Sequence, residues 1–413
     1  MKPRSMVFFL ALAGVLLIPI SSLAEDPVVL SGSLHPNRIQ LDRPEALQSA
    51  KTVTGNQPWV TILCRFSDHP ETPNPPSHYE ELMGCEFPGV CHFWNEVSFG
   101  EMTAEGSIVA GWYDLPGSHA DYVRDAEGNE GDGALIDFRK LTEDCTSAAD
   151  ADVYFPEFLG IDIVLNVSLG VHSDDPGSFG GSISLTRDGV SKSYGATWLS
   201  TWHRKPLEPF VVAHERGHAF GLPHSGLSHD KPYNSFWDVM SSGNFNAHYP
   251  RRRDDLFVGV HTIAYHKDLL GWIPPERKYV ALPGSKETIR LERLGVPSGG
   301  SGYLMAEIPV NNGTFYTIEA RRFIGYDNGV TAEAIVIHHI DTAQIVPAAV
   351  VNGDHSTDGE AWIPCESLML ENGVKVTVKS KDETGFYVTI DARSMIPSSS
   401  AAFARPAKPR QCR

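Results

Sequence analysis

The residues whose types and spacing could do chemistry are concentrated in one stretch of the chain, His214-Glu-Arg-Gly-His218-Ala-Phe-Gly221-Leu-Pro-His224. On a helix, positions four apart share a face and lie about 6 Å apart along the axis, so His214 and His218 can each offer a ring nitrogen to one ion. Glu215 sits one residue round the helix, where it is displaced from the natural ligand position and placed to take a proton from a water on that ion. Gly221 can adopt the positive φ that ends a helix sharply. The chain can then turn back and deliver His224 as a third ligand. Three histidines leave the fourth position of a tetrahedral zinc site free for water, which a hydrolytic site needs and a purely structural site lacks. Three imidazoles suit zinc, although copper or cobalt also bind such a set. Gly221 and His224 at fixed offsets reduce the chance expectation for the whole pattern to the order of 10⁻⁴ at ordinary residue frequencies.

The helix that carries these residues should start at Pro209, since proline is well placed in a first turn, and end at Gly221. Ahead of it, Trp59-Val-Thr-Ile-Leu-Cys-Arg-Phe reads as the first core strand, His92 to Phe99 as a helix stopped by Gly100, and Thr103 to Trp112 as a strand. Gly133 to Leu141 reads as a second helix and Ile161 to Leu169 as a strand. Ser182 to Leu185 and Ser193 to Leu199 read as shorter strands near an edge. After Trp272 the pattern changes: Pro274-Pro275 punctuates, and short alternating runs follow at Thr288 to Leu294, Phe315 to Glu319, Ala334 to His339 and Val374 to Val378. Strands at this spacing, with Gly and Asn between them, suggest a β-sandwich.

The eleven-residue pattern resembles that of the metzincin peptidases. Their second hallmark is a methionine turn beneath the metal, and Trp237-Asp238-Val239-Met240-Ser241 falls where the resemblance requires it. Within that group the chain is most similar to the immune inhibitor A-like and gametolysin-like secreted peptidases, over roughly residues 57 to 390. Phe93-Trp-Asn-Glu-Val-Ser-Phe-Gly100, Gly111-Trp112-Tyr113, the Leu-Gly-Trp that ends at Trp272, Tyr316-Thr-Ile-Glu319 and Ile335-Val-Ile-His-His-Ile-Asp341 carry the likeness. The resemblance implies an α+β fold: a metzincin-type catalytic domain, built from a twisted sheet, a zinc-binding active-site helix and a methionine turn, followed by a β-sandwich-like domain. It implies one catalytic zinc on His214, His218 and His224, Glu215 as the catalytic group, and Gly221 and Met240 in structural support. It also implies a substrate held as an added strand along an edge strand just before the helix, for which Ser193 to Leu199 is the candidate. Astacin-like and serralysin-like members carry a tyrosine two residues after the methionine, but Ser242 stands there, and Tyr249 is only a weak substitute. Calcium often supports the fold of such enzymes; the acidic, glycine-rich loop from Asp125 to Gly133 fails the EF-hand pattern, so calcium stays open.

The start of the chain bears on compartment. Lys2 and Arg4 precede an apolar run from Met6 to Ile20, and Ser22-Leu23-Ala24 offers small residues for cleavage, the pattern of a signal peptide. The run falls short of the roughly 20 residues a membrane span needs. Export as a secreted protein is therefore expected, with residues 1–24 removed, 25–56 a leader or short pro-segment, 57–275 the catalytic domain, 276–393 the β-rich domain and 394–413 a disordered tail. Losing Lys2 and Arg4 takes the formal net charge from −17 to −19, which speaks against nucleic acid as a partner. All six cysteines lie past residue 24, where an oxidising environment permits disulfides. Cys85 and Cys91 can close a small loop, Cys64 and Cys145 pair only by elimination, and no cysteine precedes Cys64 to block a metal from the leader. Asn166-Val-Ser and Asn312-Gly-Thr match the glycosylation triplet.

The expected function is that of a secreted zinc endopeptidase which hydrolyses peptide bonds of extracellular proteins through a zinc-bound water activated by Glu215. The alternatives are an inert zinc-stabilised adhesion or binding protein, in which the later β-rich region does the work, and a peptidase restricted to glycoproteins. Protein or peptide substrates are the expected partners, with no membrane span after signal removal. Nothing in the sequence sets the oligomeric state. His203, His229, His248 and His261 are nearby in sequence and read as surface or supporting histidines, with His229 the fallback ligand should His224 fail.

Overall fold

The run Trp59-Val-Thr-Ile-Leu-Cys-Arg has no polar alternation, so the strand it forms has to be covered on both faces. In the computed structural model, which describes residues 52–125, 134–170, 177–200, 207–242, 258–352 and 360–394 and the backbone of 29–30, that strand is β1 (Trp59–Arg65), buried along its length as far as Arg65. Helices α1 (Pro76–Met83) and α2 (Val90–Val97) precede β2 (Ile108–Asp114), and α3 (Phe138–Ala148) precedes β3 (Gly160–Leu165). The hairpin β4 (Phe179–Arg187) and β5 (Val190–Ser200) leads to α4 (Pro209–Ala219). The five strands form one sheet in the order β4-β5-β3-β1-β2, parallel except for β4, with a two-residue strand, Val29–Leu30, added antiparallel to β4.

Helices cover this sheet on both sides. One face buries Trp59, Leu63, Val164 and Leu199 against α1, α2 and α4, with Trp94, Val212 and Met240 in the same cluster. The other buries Val60, Ile62, Ile163 and Trp198 against Phe138 and Leu141 of α3. Disulfide Cys64–Cys145 ties β1 to α3, and Cys85–Cys91 closes the loop ahead of α2.

Downstream, α5 (Ala264–Leu269) is followed by β6 (Lys278–Val280), β7 (Lys286–Glu292), β8 (Met305–Asn311), β9 (Thr314–Arg321), β10 (Ala334–Asp341), β11 (Ala348–Val350), β12 (Ser367–Met369), β13 (Lys375–Lys381) and β14 (Gly385–Asp391). A four-stranded antiparallel sheet, β7-β14-β13-β12, faces a six-stranded one across a shared apolar core that includes Ile289, Ile318, Ile337, Val376 and Val388. The six-stranded sheet runs β11-β10-β9-β8-β6, and its outermost strand beyond β11 is Ser225–Gly226, the pair of residues directly after His224. The fold is thus α+β, with few helices and many strands.

Strand alternation dictates what the outer face of this second sheet does. Along β9 the even positions 316, 318 and 320 fill the shared core, while Phe315, Glu319 and Arg321 point the other way. There Arg321 lies 2.8 Å from both Glu319 and Asp327, and Glu319 accepts the Ala264 amide at 2.6 Å. Trp237 packs on Val336 and Val350 of the same face. The charges of Arg321, Glu319 and Asp327 are thus paired, as burial requires.

Several elements differ from the sequence reading. The helix expected over Gly133 to Leu141 starts later, because Asp137 caps it by accepting the Lys140 amide, and it runs on to Ala148. Residues 134–136 are strand. Ser193 to Leu199 is not at an edge: β5 is hydrogen-bonded on both sides, to β3 and to β4. β4 lies next outward, with the two-residue strand Val29–Leu30 on its far edge. The Asn166 triplet is not a free acceptor, because its buried amide accepts from Phe66 N at 3.3 Å and donates to His69 O at 2.6 Å. Asn312 sits exposed in the β8–β9 turn. Residues 1–24, the tail beyond 394 and Cys412 lie outside the described residues, as does most of 25–56. Among the described residues no helix is long and apolar enough to cross a membrane.

Candidate metal centre

Helix α4 begins with Pro209 in its first turn and ends as its sequence dictates. Gly221 takes φ 96°, a conformation that disfavours any side chain. The Gly221 amide then reaches His218 O and the Leu222 amide reaches Gly217 O, both at 2.9 Å, which is a Schellman ending. Those bonds reverse the chain, so His224 comes back over the helix it has just left.

The three rings meet. His214 Nε2 stands 3.1 Å from His218 Nε2 and 3.2 Å from His224 Nε2, and His218 Nε2 stands 3.0 Å from His224 Nε2. All three residues are buried. His214 Nδ1 is 2.7 Å from Val239 O and His218 Nδ1 is 2.8 Å from Leu222 O. A carbonyl can only accept, so those Nδ1 atoms carry the protons, and in the neutral rings Nε2 is a lone pair. Burial, reinforced at His218 and His224 by the neighbouring histidines, holds all three below the ordinary imidazole range and so keeps them neutral. The lone pairs of His214 and His218, 3.1 Å apart, repel unless a cation or a donor lies beside them. With metal–nitrogen bonds of 2.0–2.1 Å, a tetrahedral ion sets its ligand atoms roughly 3.3 Å apart, close to the observed triangle. This buried trio can hold a metal ion, and it is the one such group of three or more His, Cys, Asp or Glu among the described residues.

Glu215 lies in the same buried turn, and its Oε2 has no hydrogen-bond partner. Burial pushes its carboxyl up to about 8. A carboxyl left unpaired in such a place is costly, and a nearby cation offsets that cost by favouring the ionised form.

The turn at 237–241 forms the floor. Met240 is fully buried, and a β-carbon on Gly217 would stand 2.3 Å from its sulfur, so helix and methionine are in close contact where α4 carries His214 and His218. Asp238 fixes this turn and the returning chain together. Its Oδ2 accepts from Ser225 Oγ at 2.6 Å, and its Oδ1 accepts from the Met240 amide at 3.0 Å and from Thr262 Oγ1 at 2.8 Å. The strand β4 is equally close to the helix, since a β-carbon on Gly180 would fall 2.0 Å from the Glu215 carbonyl oxygen.

Three features escape sequence reading. Arg216, buried under the helix, pairs with Asp162 of β3 at 2.6 Å while Asp162 also accepts from Thr61 and Thr197 at 2.8 Å each. Tyr233 adopts φ 70° and sets its ring centroid 4.8 Å from that of His224 and 6.1 Å from that of His214, forming a wall of the site. No spacing rule points to it. His266 Nδ1 approaches Asp238 Oδ2 at 3.0 Å. Of the neighbouring histidines, His229 bonds Val346 O and His339 Nδ1 at 2.8 Å each rather than joining the trio, and His261 lies 2.9 Å from Glu96. His203, His248, Tyr249 and the acidic stretch 126–133 considered for calcium lie outside the described residues. No protein-family model matches the chain, and no curated protein matches it either.

Proposed function

We propose that the chain is a secreted zinc endopeptidase of the metzincin kind, cleaving peptide bonds of extracellular proteins. The observation that carries this reading is the convergence of three buried Nε2 atoms, 3.0 to 3.2 Å apart, beside a buried carboxyl whose Oε2 has no hydrogen-bond partner. A bound zinc supplies Lewis acidity, which polarises a carbonyl and acidifies water. Glu215 Oε2 then accepts the proton of the attacking water and passes it to the leaving amine. Its displacement from the imidazole triangle keeps it free for that traffic. Val239 O and Leu222 O hold two rings in the required tautomer, the arrangement by which carbonyls behind a ligand raise its basicity. Zinc fits the all-imidazole donor set better than calcium or magnesium, which seek oxygen.

An extended substrate would lie along β4 rather than β5, since β5 has both edges filled by β3 and β4, and it would take the edge of β4 that Val29–Leu30 holds at Gly181 and Ser182. Gly180 of β4 lies against the backbone of Glu215, so a peptide paired with that strand would pass the carboxylate. The domain division at residue 275 and export behind a signal peptide belong to the same proposal. The test is to incubate the purified protein with a peptide library, with and without a chelator. Cleavage at internal bonds that stops with chelator and returns with zinc is expected; no cleavage in the zinc-loaded protein would reject the reading.

A further inference from the structure

Behind the turn that carries Asp238, four polar atoms have no partner although they are fully enclosed: His266 Nε2, His338 Nδ1, His338 Nε2 and Thr317 Oγ1. All three residues are wholly buried. Such atoms are rare in folded proteins, because an unmade buried hydrogen bond costs about 1–3 kcal/mol.

Their positions bring them to one place. Thr317 of β9 stands directly opposite His338 of β10, so their side chains share the outer face of the sheet. Helix α5 lies across that face, with the Ala264 amide bonded to Glu319 and the Tyr265 ring beside Phe315. Thr317 is the residue between those two contacts, and His266 follows next along the helix. His338 is within electrostatic reach of both His266 and Asp238.

The hydrogen bonds on the far side of His266 fix its tautomer. Thr262 spends its single hydroxyl proton on Asp238 Oδ1 at 2.8 Å, so the contacts of His266 Nδ1 to Thr262 Oγ1 at 2.9 Å and Asp238 Oδ2 at 3.0 Å require Nδ1 to be the donor. In the neutral ring Nε2 is then an acceptor aimed away from Asp238. His338 provides one donor and one acceptor, and Thr317 provides one of each.

We propose that His266, His338 and Thr317 enclose a structural water site, whose water donates to His266 Nε2 and bonds His338 and Thr317. A second metal is disfavoured there, since only two imidazoles face the space and both Asp238 oxygens are already engaged. The water completes a chain from β10 through His266 and Asp238 to the Met240 amide and Ser225, the residue after His224. His266 is therefore a positioning residue for the metal-bearing loop, and this holds whether or not the metal site is hydrolytic.

The experiment is nitrogen-15 NMR of the histidine rings in the zinc-loaded full chain, with oxygen-17 relaxation to count long-lived internal waters. His338→Leu should move the His266 Nε2 resonance towards that of a free lone pair and remove at least one long-lived water, while His338→Gln should retain both parental readings. Should His338→Leu not fold, Thr317→Val, which exchanges a hydroxyl for a methyl, should reduce the water count in the same way. An unchanged water count and His266 resonance in the variants would overturn the proposal, as would a second tightly held metal equivalent in elemental analysis of the parent.

Discussion

Gly217 and Met240 meet so closely that no β-carbon fits between them: one built on residue 217 would stand 2.3 Å from the methionine sulfur. The helix turn between His214 and His218 therefore rests on a sulfur whose place is fixed by Asp238. Gly217→Ala should cost about 1–3 kcal/mol, the usual range for overpacking a core. Adding Met240→Ala should recover part of that loss, because the two sites share one contact. Urea unfolding of the single and double variants reads the coupling directly.

Glu215→Gln keeps the size of the side chain but cannot accept a proton. General base catalysis is typically worth a factor of about 10² to 10⁴, so peptide hydrolysis should fall at least that far while zinc content stays at the parental level. Turnover within a few-fold of the parent would remove Glu215 from the role of base.

Metal content tests the three histidines independently of activity. The protein should bind about one zinc per chain, and His218→Ala/His224→Ala should bind essentially none. Stripping zinc should lower the melting temperature, since a ligand that binds only the native state stabilises it. Elemental analysis and calorimetry of the same samples check both statements.

The ion pair beneath the helix should matter more than its distance from the chemistry suggests. Arg216→Met leaves the wholly buried Asp162 carboxyl without its cation, a change that typically costs about 3–5 kcal/mol. Denaturant unfolding should show that loss, and Arg216→Met/Asp162→Leu should recover most of it.

Glu360 gives a pH dependence with a definite sign. It is buried, its Oε2 accepts the Trp237 indole proton at 3.0 Å, and burial raises its carboxyl to about 7. A carboxyl raised in the folded state stabilises most at low pH, and that contribution is lost as pH climbs from the unfolded value near 4.3 through about 7. Glu360→Gln should therefore gain on the parent between pH 5 and 8, by on the order of 2–3 kcal/mol, a tenfold change in proton affinity being worth about 1.4 kcal/mol. Parallel stability–pH curves would contradict it.

What could be read from the sequence is what depends on near neighbours. Pro209, the two histidines four apart and Gly221 define a helix and its end within a dozen residues, and the histidine trio follows from that alone. The run from Trp59 was legible because burial on both faces removes all alternation. The start of α3 was not, because apolar spacing extends back past Asp137, whose cap sets the boundary. Helix α1 opens on the second residue of the pair Pro75-Pro76 and has little apolar periodicity. The inner place of β5 depends on its pairing with β3, Gly195 opposite Gly160, and the Arg216–Asp162 pair joins residues 54 apart in sequence. Neither relation leaves a local trace.

The two-residue strand Ser225–Gly226 gives the histidine triangle two anchorages. His214 and His218 ride on a helix packed against the first sheet, whereas His224 is followed at once by a strand hydrogen-bonded to Ala348 and Ala349 of the second. The triangle is thus a caliper with one jaw on each sheet, and its opening is set by how the two sheets are seated. The β-rich half is consequently no detachable accessory: exchanging it for an unrelated module would remove the mooring of His224, and changes in the two halves must stay matched across this seam for the nitrogens to keep their spacing.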